Sequence, residues 1–229
     1  MKYSASKENY LKTIYHLQQG QARVSTNAVA AALQTRAASV TDMLKKLKTE
    51  KLLYYEIYRG SKLTNEGRKV ALRIIRKHRL WEYFLVEKLH FGWDEVHEVA
   101  EELEHISSKK LIDRLDDFLE FPRVDPHGDP IPDSHGRFNT QRQQNLLSYP
   151  LNKPACVAAI SSQTSEMLEL LSHKHIRIGT KVEIRKKFPF DNSIELKIRN
   201  KPVITISEQV AKNILVKDEE SIAKRSITE

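Results

Sequence analysis

The chain has 229 residues, enough for two or three small domains that each bury a core. Its 40% apolar and 30% charged residues are an ordinary soluble composition. No apolar run approaches the roughly 20 residues of a membrane span, and MKYSASKENYLKTIY has no signal-peptide apolar stretch, so a cytoplasmic protein with no membrane partner is expected. The net charge of +8 conceals an asymmetry: 17 Lys/Arg against 5 Asp/Glu in residues 1–80, 5 against 15 in 81–136, and 16 against 10 in 137–229. A basic first part followed by an acidic middle suits a nucleic-acid reader joined to a cation sensor.

In chain order, KENYLKTIYHLQQ places Tyr10, Leu11, Ile14, Tyr15 and Leu17 near helical spacing, with Ser4 or Ser6 as cap and Gly20 as stop. Ser25 or Thr26 caps a second helix, AVAAALQ. Thr35 caps a third, RAASVTDMLKKLKTEK, whose inner stripe is Val40, Leu44 and Leu47. Two short helices joined by a tight turn predict a helix-turn-helix. Leu52–Ile57 has β character and Arg59-Gly60 supplies a turn before Ser61-Lys62-Leu63, so a small β-wing follows. In this winged helix-turn-helix Arg36, Lys45, Lys46, Lys48, Lys51, Arg59 and Lys62 are candidate phosphate contacts, whose binding would be strongly salt-dependent. Thr35, Ala37, Ala38, Ser39, Thr41 and Asp42 sit where a recognition helix enters the major groove. So few base-reading donors predict a dimer on a two-fold-related operator, helped by DNA shape.

Thr64-Asn65-Glu66-Gly67 caps a helix running from Arg68 to about His90, a break follows at Phe91-Gly92-Trp93, and helices follow over 94–106 and 107–121. His78 and Glu82, four apart, stand one above the other on a helix. His97, Glu101, Glu104 and His105 fall within about a third of the circumference of the next. Carboxylates crowded on one face repel, and a divalent cation would neutralise them. Oxygen and nitrogen donors without a thiolate suit Mn²⁺, Fe²⁺, Co²⁺ or Zn²⁺. Against this stands the plain reading of EVAEELEH as a solvated acidic face. The apolar content of the middle (Leu80, Trp81, Phe84, Leu85, Leu89, Trp93, Leu111, Ile112, Leu115, Phe118 and Leu119) exceeds what one thin helical layer needs, which predicts a dimer interface drawn from part of it.

Residues 122–138 form a proline- and glycine-rich segment, and its His127 and His135, near Asp125, Asp129 and Asp133, are expected to be solvated because no helix or strand fixes them. Cys156, the single cysteine, is expected as a small core residue. β character recurs at 156–160, 181–185, 193–198 and 201–206, with a helical turn at SEMLELLSHK. Ser207 caps a final helix, EQVAKNIL, followed by Val216. Five short strands in about 65 residues predict an SH3-like barrel.

With ENYLKTIY, RKHRLWE, VHEVAEELEH and PHGDPIP in this order, nearly the whole chain resembles the diphtheria-toxin-repressor family of iron- and manganese-dependent transcriptional regulators. The resemblance implies a mainly α chain with small β parts. Its expected divisions are a winged helix-turn-helix domain at 1–73, a helical dimerisation and metal-binding domain at 74–138, a linker at 139–150, an SH3-like (FeoA-like) domain at 151–217 and a charged tail at 218–229. It also implies a homodimer that binds double-stranded operator DNA when Mn²⁺ or Fe²⁺ is bound, represses metal-uptake genes and is no enzyme. By position the regulatory metal site falls on Asn9, Glu101, Glu104 and His105, and a second on His78, Glu82 and His97. Manganese-selective members carry Asp, and iron-selective ones Met, at the position of Asn9, which offers a neutral carbonyl oxygen. Glu101 stands where iron-type members have Cys, which favours Mn²⁺, with Zn²⁺ and Co²⁺ as substitutes in vitro. Lys12 replaces a helix-one acid of the paired-manganese members and speaks against that arrangement, while Ser161 and Ser162 are poor candidates for a ligand from the barrel. Two other readings stay open. Glu102-x-x-His105 and Glu87-x-x-His90 have the spacing of di-iron carboxylate bundles, and a winged helix can instead answer an organic ligand without metal.

Overall fold

The computed structural model describes residues 3–18, 22–138 and 142–218. Gly20, residues 139–141 of the expected linker and 219–229 of the expected tail lie outside the described residues. The chain divides into two compact units, residues 1–81 with 99–122 and 131–138, and residues 82–98 with 123–130 and 139–229.

In the first unit α1 (Ala5–Leu17) starts at Ser4, whose hydroxyl accepts the Lys7 N–H, and it buries Tyr10, Leu11, Ile14 and Tyr15. Ser25 caps α2 (Thr26–Ala32) in the same way. The third helix, α3 (Ala37–Thr49), has Arg36 and not Thr35 at its cap, without a side-chain bond. The Thr35 amide donates to the Ala30 carbonyl at 3.0 Å, which closes the turn between α2 and α3. Val40, Leu44 and Leu47 are fully buried as the inner stripe; each such leucine contributes about 1.5–3 kcal/mol relative to exposure.

The wing is an antiparallel pair, β1 (Leu53–Glu56) and β2 (Gly60–Leu63). Val24 and Ser61 exchange two backbone hydrogen bonds of 2.8 Å, which ties the lead-in to α2 onto β2. A Cβ at Gly60 would lie 2.4 Å from the Val24 carbonyl oxygen, and its φ of +83° is left-handed, so glycine is required for that bridge. Thr64 accepts the Gly67 N–H and opens α4 (Asn65–Leu89), which stops where His90 turns left-handed at φ +60°. Then come α5 (Val96–Leu103) and, capped by Ser108, α6 (Lys109–Phe118), both shorter than expected. Within the first unit Arg76 of α4 holds Asp116 of α6 at 2.6 Å and the Pro132 carbonyl at 3.1 Å, all of it buried.

The second unit is built on an antiparallel six-stranded sheet of order β3-β8-β4-β5-β6-β7: β3 (Gln144–Asn145), β4 (Pro154–Ile160), β5 (Lys181–Lys187), β6 (Ile194–Ile198), β7 (Val203–Ile206) and β8 (Ile214–Asp218). Two helices accompany it, α7 (Ser165–His173) and α8 (Glu208–Lys212). Ile214 and Leu215, expected to end the last helix, instead belong to β8. There Ile214 and Val216 are fully buried and pair with β4, so ladder bonds and period-2 burial override the helical run. Cys156 is buried on β4.

Candidate metal centres and DNA-binding surface

In the first unit α1 and the end of α5 bring several predicted ligands together. Glu104 is fully buried and Glu101 half-exposed, and Glu104 and His105 follow the last residue of α5 where a longer helix was expected. His78 Nδ1 meets Glu104 Oε2 at 2.7 Å, so His78 serves this cluster as well as standing one turn from Glu82 on α4. Lys12 of α1 places Nζ 2.8 Å from the Glu104 carboxylate and 3.2 Å from Glu101. Burial pushes the Glu104 carboxyl up, but the His78 hydrogen bond and the Lys12 charge outweigh it and hold the group below the usual carboxylate value.

Glu8 is the residue that sequence reasoning missed. Its carboxylate accepts His105 Nδ1–H at 2.7 Å and has the Lys77 ammonium at 3.7 Å. That bond fixes the tautomer and leaves the lone pair of His105 on Nε2, 3.6 Å from Glu104 Oε1. Asn9, next to Glu8 and one turn from Lys12, has a buried Oδ1 with no hydrogen-bond partner, and the buried Glu104 Oε1 has the Lys12 ammonium at 2.8 Å. Two buried acceptor oxygens and an oriented imidazole nitrogen fit a hard divalent cation.

In the second unit Glu82 Oε1 lies 3.2 Å from Nδ1 of His97, whose side chain is 56% exposed. The expectation that His127 is solvated is wrong: it is 1% exposed. Its segment is drawn down because the His127 carbonyl accepts Ile160 N–H of β4 at 2.9 Å. Gly128, at φ +88°, lies so close that a Cβ would be 2.1 Å from the Ala158 carbonyl oxygen. Asp125 Oδ1 accepts the amides of His127 and Asp129 and shapes the turn. His127 Nε2–H donates to the Trp93 carbonyl at 2.6 Å, so Nδ1 carries the lone pair, buried without a hydrogen-bond partner and 4.0 Å from Glu82 Oε2. Glu82, Asp125 and His127 can each offer a ligand atom within 4.8 Å of the others. His135 is exposed, as expected.

The predicted DNA-facing residues Thr35, Arg36, Ala37, Ala38, Ser39, Asp42, Lys45, Lys46, Arg59 and Lys62 are all exposed. Thr41 is half-buried and its hydroxyl donates to the Ala37 carbonyl at 2.9 Å. At the wing Glu56 accepts from Arg23 at 2.6 Å and Arg59 at 3.2 Å. The di-iron spacing gains no support: Glu87 and His90 are exposed, His90 lies beyond α4, and Glu102 is exposed. Among the described residues no helix is long and apolar enough to cross a membrane.

A winged helix-turn-helix with two carboxylate–imidazole clusters defines the class as a DNA-binding regulator with candidate metal centres. Comparison with known proteins agrees. Residues 2–61 match the N-terminal DNA-binding domain of iron-dependent repressors, 64–133 their metal binding and dimerisation domain, and 144–218 the FeoA domain. The HTH-type transcriptional regulator MntR of Oceanobacillus iheyensis is 35% identical over 120 residues, 52% of this chain and 81% of its own length. The iron-dependent repressor IdeR of Mycobacterium leprae is 34% identical over 125 residues, 55% of this chain, and the match spans only 54% of that relative. A manganese-dependent transcriptional repressor solved in complex with manganese superposes with a TM-score of 0.81 at 32% identity, covering 93% of this chain and 99% of that one. The manganese regulator SloR gives 0.71 at 31%, covering 93% and 98%. The chain belongs to the iron-dependent repressor family of metal-dependent, DNA-binding transcriptional regulators.

Proposed function

We propose that this chain is a cytoplasmic repressor that binds operator DNA as a homodimer when Mn²⁺, or less readily Fe²⁺, is held by Asn9, Glu101, Glu104 and His105, and that it controls metal-ion homeostasis. The observation that carries this reading is the buried Glu104 carboxylate, 3.6 Å from Nε2 of an imidazole oriented by Glu8, with the unpartnered buried Asn9 Oδ1 on α1 next to Glu8 in the chain. A bound divalent ion supplies positive charge to Glu101 and Glu104. The chain's own residues do the rest. Asn9 sits on α1, and Leu11 and Ile14 of that helix are fully buried in the core shared with Val40 and Leu44 of α3. A constraint on α1 is therefore felt where α3 presents Arg36 and Ser39. The dimer is supported by Leu111, Phe118 and Phe121, which are 41%, 61% and 62% exposed on and just after α6 within the segment matched to a dimerisation domain. Of the predicted apolar set, which does not include Phe121, the other residues divide: Leu80, Trp81, Leu85, Trp93, Ile112, Leu115 and Leu119 are buried, Phe84 is half-buried and Leu89 is exposed.

Hard oxygen donors with no thiolate favour Mn²⁺. Glu82, Asp125 and His127, whose ligand atoms are gathered, are assigned a supporting metal position; His97 bonds Glu82, and His78 shares its helix. The test is operator retardation titrated with Mn²⁺, anaerobic Fe²⁺ and Zn²⁺ at fixed salt, with and without chelator. Metal-dependent retardation lost in the Glu104→Ala, His105→Ala double variant is expected. Retardation insensitive to chelator would replace this reading with a regulator that answers an organic ligand.

A further inference from the structure

We infer that Lys12 is a built-in counter-ion of the Glu101–Glu104 pair, tying α1 to these acids, and that a divalent cation must displace its ammonium to enter. This rests on the reading of Asn9, Glu101, Glu104 and His105 as the regulatory metal site. Lys12 Nζ makes hydrogen bonds of 2.8 Å to Glu104 and 3.2 Å to Glu101, acids 92 and 89 residues further along the chain. One cation therefore already brings the two carboxylates and α1 together, the same electrostatic task that a divalent ion performs. The ammonium performs it incompletely. It has donors only, it reaches both the Glu104 and Glu101 carboxylates, and the buried Asn9 Oδ1 still lacks a hydrogen-bond partner. A divalent ion that takes several oxygen ligands at once could bind the acids and an amide oxygen such as Asn9 Oδ1 together, which a lysine ammonium does not.

Lysine also suits an exchangeable role, because its charge is strongly hydrated and rides on a flexible four-carbon stem. The Lys12 side chain is 13% exposed, against 0% for Glu104 and 52% for Glu101, so it lies at the rim of the cluster with a path to water. Glu8 and Lys77 form a neighbouring pair at 3.7 Å, so Lys77 is engaged with its own acid. The consequence is a threshold: Lys12 raises the metal concentration needed to fill the site and keeps α1 engaged below it.

The test compares the full-length chain with Lys12→Met, which keeps an unbranched apolar stem without the charge, by isothermal titration with Mn²⁺ and by thermal unfolding in chelator. Lys12→Gln is the second variant should Lys12→Met fail to fold, and Glu104→Gln identifies which titration step belongs to this site. Without the competing ammonium, Mn²⁺ should bind this site roughly tenfold to a hundredfold tighter, the worth of one lost charge-assisted hydrogen bond. The unfolding midpoint in chelator should fall, and the rise on adding Mn²⁺ should grow. Equal or weaker Mn²⁺ affinity in the Lys12 variants, with one step still lost in Glu104→Gln, overturns the counter-ion role alone. Retention of every Mn²⁺ step in Glu104→Gln overturns the metal-site reading beneath it, and this inference with it.

Discussion

Replacing Glu8 by Ala removes the acceptor that holds His105 in its metal-facing tautomer. The lost bond is short, 2.7 Å, and charge-assisted, a class worth about 1.5–3 kcal/mol. At roughly 1.4 kcal/mol per decade this corresponds to about tenfold to a hundredfold in affinity, the same range found for residues that orient metal ligands from behind. The side chains of Glu8 and His105 are 15% and 21% exposed, so water recovers part of the loss and about tenfold is the expected figure. The assay is Mn²⁺ titration in buffered metal, followed by calorimetry and by operator retardation. Glu8→Gln, whose amide oxygen can still accept the Nδ1–H, should fall between Glu8→Ala and the native chain. The effect should leave any binding step at Glu82, Asp125 and His127 untouched. Unchanged affinity in Glu8→Ala, in a protein that unfolds as the native chain does, would refute the claim that this carboxylate orients the imidazole.

Asp116→Ala strands the buried Arg76 guanidinium with only the Pro132 carbonyl. Breaking such a pair costs about 3–5 kcal/mol, so scanning calorimetry should show the first unit unfolding about 10 °C lower, and a shift under about 2 °C would contradict the burial argument. Arg36→Ala and Lys62→Ala should each reduce the slope of log affinity against log salt by about 0.9 if each contacts one phosphate; an unchanged slope removes that residue from the contact surface. Gly128→Ala, which would place a Cβ 2.1 Å from the Ala158 carbonyl oxygen, should displace the His127 turn and abolish one Mn²⁺ equivalent while sparing the step lost in Glu104→Gln. At the wing, the Arg23 hydrogen bond first, opposed by desolvation and aided by Arg59, holds the Glu56 carboxyl below its ordinary value of 4.5. Its stabilisation is therefore complete above pH 4.5 and is lost as the pH falls through the depressed value. Amide resonances of residues 56–60 should shift only in that acid window, and Glu56→Gln should show the acid form at neutral pH.

Local pattern made much of this readable. Val40, Leu44 and Leu47 recur at helical spacing and are the buried stripe of α3, and Ser4, Ser25 and Thr64 cap where short hydroxyl side chains precede apolar runs. VHEVAEELEH shows a concentration of acids and imidazoles, but not that Glu104 is buried and Glu101 half-exposed. What stayed hidden depended on partners far along the chain. His127 looked like a loop histidine because its burial comes from Ile160 and Ala158, more than thirty residues on. Glu8 was overshadowed by its neighbour Asn9, since only the fold shows that His105 lies beside it. Lys12 speaks in the sequence against a second manganese, and only the fold adds that its ammonium contacts Glu101 and Glu104 directly. β8 was lost inside EQVAKNIL because a strand that completes a sheet is decided by its neighbours.

The bridge between Val24 and Ser61 makes the wing part of one folded block with the helices before it. Residues 22–63 carry their own recognition helix, wing and backbone ladder. Exchanging this block between repressors should transplant operator preference while leaving the metal response with the recipient, a natural unit for building hybrid sensors.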